Sequence, residues 1–226
     1  MIDKYLTDEW LLNNIQDGSV ILDIGCNDGT HSIKFSNMFP NSRVFGFEPE
    51  PRSLDVFRSK GVPDNVTIYD YALSNSDGLD TFWRCTGFEP GRPEQRESDW
   101  SGSLLKPKIH LEAVPWMKFD TTYEVKTKRL DTWFEEVSID RIDFIWMDVQ
   151  GAEHLVFEGA SGILDKVRYI HTEFDDRELY SGQKTLEELL EYLPNFEIEQ
   201  RFDYDVLLKN CGGKSRKTNI PSVINP

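Results

Sequence analysis

The chain has 226 residues, 38% of them hydrophobic, and sets 25 basic against 40 acidic side chains for a formal net charge of −15. This length fits one domain with a sizeable core, and so negative a balance argues against nucleic acid as partner or substrate. No apolar run is long enough to span a membrane, no signal-peptide pattern opens the chain, and the three cysteines, Cys26, Cys85 and Cys211, show neither metal spacing nor a disulfide framework, so a reducing cytoplasm is the expected compartment.

Residues 6–15 read as a short helix, with Thr7 as N-cap and Trp10, Leu11 and Ile15 on one face. Val20-Ile21-Leu22 is a short apolar run that ends in Asp23 and the turn Gly25-Cys26-Asn27-Asp28-Gly29. Such a run suits a buried parallel strand. A helix follows from Thr30, with Ile33, Phe35 and Met38 turned inward. Residues 43–48 form a second strand stopped by Pro49 and Pro51, residues 53–59 a helix, and residues 66–70 a third strand. This alternation predicts parallel βαβ units.

The pattern then breaks. Residues 74–78 read as a turn and 79–84 as extended chain. Residues 85–119 have little period but carry Phe88, Trp100, Trp116 and Phe119 among scattered Gly, Pro and Ser. A long irregular insertion of this kind is expected to be a lid or substrate wall, with an interface as the alternative. Residues 123–128 return as a strand and 131–137 as a helix. The apolar strand 142–148 ends in Asp148, Gly151 turns the chain, and residues 153–158 start a helix. A buried strand at 167–174, a helix at 185–193 and an antiparallel hairpin from 196–202 and 204–208 complete a domain spanning 1–210. Residues 211–226, with Lys214, Arg216 and Lys217, are expected to be a flexible polar tail.

The glycine turn is a candidate ligand cradle, because Gly25 and Gly29 let backbone approach a ligand and the next helix offers free N–H groups. A dinucleotide fingerprint would need G-x-G-x-x-G; here Asn27 stands where a middle glycine could be. With an acid two residues before Gly25, the loop resembles the first motif of class I S-adenosylmethionine (SAM) methyltransferases. Three segments in order, Asp23 to His31, Arg129-Leu130-Asp131-Thr132-Trp133 and Met147-Asp148-Val149-Gln150-Gly151-Ala152-Glu153, resemble the FkbM-like branch of that class. That branch often carries Asn at the position of Asn27. Ala72-Leu73-Ser74 and Ser101-Gly102-Ser103-Leu104 are weaker echoes. The resemblance covers residues 18–175 and implies an α/β Rossmann-like three-layer sandwich. Its mostly parallel seven-stranded sheet would run 3-2-1-4-5-7-6, with the last hairpin antiparallel. The implied activity is SAM-dependent O-methylation of a small molecule or sugar.

Glu48 ends the second strand about 20 residues after the glycine turn, where dinucleotide folds place a ribose-binding acid. The resemblance puts the adenine edge at Asp70, Tyr71 and Ala72, and the amino-acid head at Asp23 and the loop from Gly25 through Cys26 and Asn27 to Gly29. Asp148 closes its strand on the edge where open α/β sheets bind ligands. It could orient the acceptor, take its proton, contact the cofactor or only cap the next helix. Glu173 is the second candidate base. Trp100, Ser101, Ser103, Trp116, Gln150 and Glu153 are the candidate substrate contacts. A carboxylate cluster could hold Mg²⁺, but no pair has a spacing specific to a metal, so no metal ligands are assigned. A non-catalytic SAM-binding module and an NAD-linked oxidoreductase are the rival readings. No membrane partner is expected, and a homo-oligomer is left open.

Overall fold

The computed structural model describes residues 5–91 and 97–212. Helix α1 (Asp8–Asn14) begins where the Thr7 hydroxyl accepts from the Trp10 amide at 3.1 Å. Strand β1 (Val20–Ile24) leads through the glycine turn into α2 (Thr30–Met38). Strand β2 (Arg43–Phe47) leads into α3 (Pro51–Ser59), which starts two residues earlier than expected. Proline suits a first helical turn, where its missing N–H costs nothing, and the Glu50 carboxylate caps the Arg52 amide. Strands β3 (Val66–Tyr69), β4 (Ala72–Leu73) and β5 (Gly78–Thr86) come next, then α4 (His110–Ala113), β6 (Lys118–Lys128), α5 (Leu130–Val137) and β7 (Ile142–Met147). The chain continues with α6 (Glu153–Gly159), β8 (Val167–Glu173), α7 (Leu186–Glu191), β9 (Phe196–Arg201) and β10 (Asp205–Asn210).

Seven strands form one sheet in the order β3-β2-β1-β7-β8-β10-β9. Numbered within that sheet alone, this is the expected 3-2-1-4-5-7-6. Strand β10 runs antiparallel to both β8 and β9, because a tight turn joins β9 to β10 whereas helical crossovers join the parallel strands. Successive residues of a strand face opposite sides, and the core divides accordingly. Leu22, Phe45, Ile145 and Ile170 pack on one face with Trp133, while Ile21, Val44, Phe144 and Tyr169 pack on the other with Phe35 and Phe57. The register Ile24↔Phe47 and Ile24↔Met147 brings the C-terminal ends of β1, β2 and β7 to one edge.

A second sheet, ordered β4-β6-β5, was not expected. It corrects the reading of residues 85–119 as wholly irregular. Cys85 and Thr86 belong to β5, Lys118 and Phe119 to β6, and Thr86 pairs with Lys118. The insertion is therefore the connection of a long hairpin, and it carries the helix α4. Cys85, Met117, Phe119 and Tyr180 pack together beneath it. Residues 92–96, and the expected tail from residue 213, lie outside the described residues. Among the described residues no helix is long and apolar enough to cross a membrane.

Candidate functional site

Gly25 has φ +79°, and a Cβ there would lie 1.9 Å from the Asp148 carbonyl oxygen. Only glycine lets the loop after β1 rest directly on the end of β7. The amides of Gly25 and Cys26 both donate to the Phe47 carbonyl, at 2.9 and 3.0 Å, which ties the loop to β2 as well. Asn27 takes φ +45°, a left-handed conformation that asparagine tolerates better than most residues. Its amide donates to Glu48 Oε2 at 2.9 Å, and its side chain donates to Ser53 Oγ and to the Asp99 carbonyl.

Above this junction lies a cavity of about 240 Å³. Of the expected site residues, Gly25, Cys26, Asn27, Glu48, Ala72, Asp148 and Gln150 line it, joined by Trp100 and Ser103 from the insertion. Glu48 is buried, with amides from Asn27 and Glu50 on its two oxygens, and burial pushes its pKa up to about 8. Asp23 sits beneath the loop and outside the lining. Burial raises it to about 7, Ser32 Oγ donates to Oδ2, and Oδ1 has no partner among the described residues. Cys26 is also buried and its thiol is pushed up by desolvation, which suits packing and not nucleophilic chemistry.

Several expected contacts lie elsewhere. Asp70 is exposed and paired with Lys126 at 3.2 Å, because β4 leaves the third strand for the second sheet and turns Asp70 outward. Tyr71 packs on Phe47 and Tyr69 below the cavity wall. Gly29 caps α2 against Phe57. Ser101 accepts the Tyr180 hydroxyl on its carbonyl, and Trp116 leans on the cluster under the hairpin. Neither Asp70, expected at the adenine edge, nor Trp116, expected at the substrate, lines either cavity. The structure adds residues that no local pattern marked, among them Phe82, Asp99 and Trp146, and it brings in His31 from the end of the first motif segment.

Asp148, Gln150 and Glu173 form a second focus. Gln150 Nε2 donates to Asp148 Oδ1 at 2.6 Å and to Glu173 Oε2 at 3.3 Å, while its Oε1 accepts from the Tyr180 hydroxyl. The two carboxyls also hydrogen-bond each other. Burial pushes both upward, and Glu173 further, since Asp148, Asp205 and Glu153 surround it. Two like charges so close cannot both ionise freely, so the pair keeps a proton. Beyond Gln150 lies a second cavity of about 310 Å³, lined by Glu153, Glu173, Tyr180, Gln183 and Tyr204 among others. Gln150 lines both cavities, while Asp148 faces the first and Glu173 the second. Among the described residues no group of three or more His, Cys, Asp or Glu side chains is arranged to hold a metal ion.

Residues 23–206 match the model of the methyltransferase FkbM domain. The chain is 42% identical over 196 residues to the 2-O-methyltransferase NoeI of Sinorhizobium fredii, covering 84% of this chain and 79% of that one. It is 26% identical over 165 residues to the hexuronic acid methyltransferase AglP of Haloferax volcanii, covering 72% of this chain and 59% of that one. A structure assigned to an rRNA-methylase from Clostridium thermocellum superposes with TM-score 0.50 at 12% identity, covering 89% of this chain and 92% of that one, which is a likeness of fold.

Proposed function

The chain belongs to the FkbM methyltransferase family, and we propose that it transfers a methyl group from SAM to a hydroxyl of a small molecule or sugar, with Asp148 and Glu173 handling the proton. The observation that carries this reading is the position of the carboxyl pair. It stands at the junction of two cavities, and the Asp148 carbonyl lies against the Gly25 turn.

In this reading SAM occupies the first cavity. The cradle at Gly25 has no room for a Cβ, and the Glu48 carboxylate in its wall has lone pairs left for a diol after two amide contacts. Such hydrogen bonds contribute about 0.5–1.5 kcal/mol each when the carboxyl is protonated and about 1.5–3 kcal/mol when it is ionised. When bound, SAM supplies an electrophilic methyl on a sulfonium, with the bond electrons remaining on sulfur. The work left to the chain is alignment and proton removal. An alcohol oxygen is a weak nucleophile, and the half-ionised Asp148–Glu173 pair can accept its proton as the new carbon–oxygen bond forms. Gln150 holds both carboxyls in register.

Asp99, Trp100, Gly102, Ser103 and Leu104 line the same cavity as the glycine turn. That supports the lid half of the expectation for residues 85–119, as a cover over the cofactor. The NAD-linked alternative falls with the family assignment. A non-catalytic SAM-binding module would bind SAM without turnover, so release of S-adenosylhomocysteine on adding a sugar acceptor separates it from the proposed enzyme. The described cysteines are free thiols, which fits a reducing cytoplasm as the compartment.

A further inference from the structure

The second cavity is lined by none of the glycine turn, shares Gln150 with the first, and meets the carboxyl pair at Glu173. Its floor is the end of β8 and the start of α6, and its rim is Tyr204 in the turn between β9 and β10. Phe174, Tyr180 and Tyr204 offer aromatic surface. Gln183, Glu153 and Glu173 offer hydrogen-bonding groups, and Glu153 is buried to 2% exposure. An aromatic lining with a few placed polar groups is the usual build of a small-molecule site.

The charge of this lining is uneven. Glu153, Glu173 and Asp175 face the space, and among the described residues Arg177 is the one basic side chain that lines it. Its guanidinium is already engaged: Nε lies 3.0 Å from Asp175 Oδ1 and Nη2 lies 2.6 Å from Asp175 Oδ2. A carboxylate entering here would meet acids and find its cation taken. A buried anion without a partner is strongly disfavoured. A neutral polyol meets no such penalty, and carboxyl and amide groups are good partners for its hydroxyls.

We propose that the methyl acceptor occupies this second cavity, and that the cavity selects a neutral polyhydroxylated ring over its uronic-acid counterpart. The inference rests on the methyltransferase reading above and goes further, by locating the acceptor and stating its charge class. It departs from the hexuronic acid named for the Haloferax relative.

The test uses the full chain and SAM, with S-adenosylhomocysteine release as readout. The acceptors are the methyl glycosides of glucose, galactose and mannose, each paired with the glycoside of its uronic acid. Within the pair that is methylated, the neutral member is expected to lead by at least tenfold in kcat/KM. Asp175→Asn, which frees Arg177, is expected to narrow that lead by at least threefold. Tyr204→Ala is expected to raise the acceptor KM about fivefold and leave SAM affinity, measured by calorimetry, within twofold. Equal or better use of the uronates by the parent overturns the charge selection. An unchanged acceptor KM in Tyr204→Ala overturns the location. Methylation of neither set, with SAM bound normally, overturns this inference and the sugar-acceptor reading with it, whereas failure to bind SAM strikes the methyltransferase reading and, through it, this inference.

Discussion

Gly25→Ala separates a positive dihedral from a close contact. Gly25 and Gly61 have nearly the same φ, +79° and +83°, but a Cβ at Gly61 meets nothing within 4 Å. Alanine at either position carries the left-handed penalty, about 1–2 kcal/mol. At Gly25 the added carbon would also sit 1.9 Å from the Asp148 carbonyl oxygen and 2.9 Å from its carbon. The loop must lift off β7, and the Gly25 and Cys26 amides lose their hold on the Phe47 carbonyl. Each lost hydrogen bond costs about 0.5–1.5 kcal/mol, so the total is roughly 2–5 kcal/mol at Gly25 against 1–2 at Gly61. Urea unfolding of both variants measures the difference, and titration calorimetry measures SAM binding. Gly25→Ala is expected to weaken SAM more than tenfold, and Gly61→Ala by less than twofold. Equal stability losses and unchanged SAM affinity in both would refute the close approach of the loop to Asp148 and its role as a cradle.

Glu48→Ala is expected to weaken SAM binding more than tenfold with circular dichroism unchanged; parental affinity would remove Glu48 from the ribose site. Trp100→Ala, at 47% exposed and lining the first cavity, should raise the SAM dissociation constant severalfold, whereas Trp116→Ala should not. If acceptor KM moves instead of SAM affinity, the cover belongs to the acceptor. The ligand-free protein should lose stability as pH rises from about 6.5 to 8.5. Asp23, Glu48 and Glu153 have folded values raised by burial to about 7, 8 and 7, from 3.8, 4.5 and 4.5. A raised folded value contributes stability that is full below the unfolded pKa and lost as pH climbs through the folded one. Buried His171, lowered to about 3, acts in the opposite sense only below its ordinary value of 6.5, so the chosen window isolates the carboxyls. A melting temperature that is flat or rising across it would count against their burial.

The parts of the fold and site that could be read from sequence are those with a local physical cause. Val20 to Leu22 followed by an acid and glycines marks a strand and its turn, and the β7 strand ending in Asp148 is equally compact. Thr7 and Thr185 announce their helices through side-chain caps. The second sheet had no such signal. Strand β6 does alternate, with Phe119, Val125 and Thr127 buried and Asp120, Thr122, Glu124 and Lys126 exposed, and its second half reads as a strand; nothing local marks its pairing with β5 and β4 apart from the main sheet. The exposure of Asp70 was not legible either: its neighbours Tyr69 and Tyr71 both turn inward onto Phe47, leaving the acid between them in solvent. The second cavity draws Glu153 from a helix start, Glu173 from a strand end and Tyr204 from a turn. Only the folded chain brings these together.

The proton-handling role assigned to Asp148 is tested most directly by the turnover of Asp148→Asn under saturating SAM and acceptor. Asparagine keeps an oxygen for Gln150 Nε2, which donates to Asp148 Oδ1 at 2.6 Å, and an amide for Glu173, so the shape of the junction survives while the charge does not. The expected result is a fall in kcat of at least tenfold, about 1.4 kcal/mol in barrier, with SAM affinity within twofold of the parent. An Asp148→Asn protein that methylates at the parental rate, even if it melts earlier, would contradict the assignment and reduce Asp148 to a support for the turn into α6.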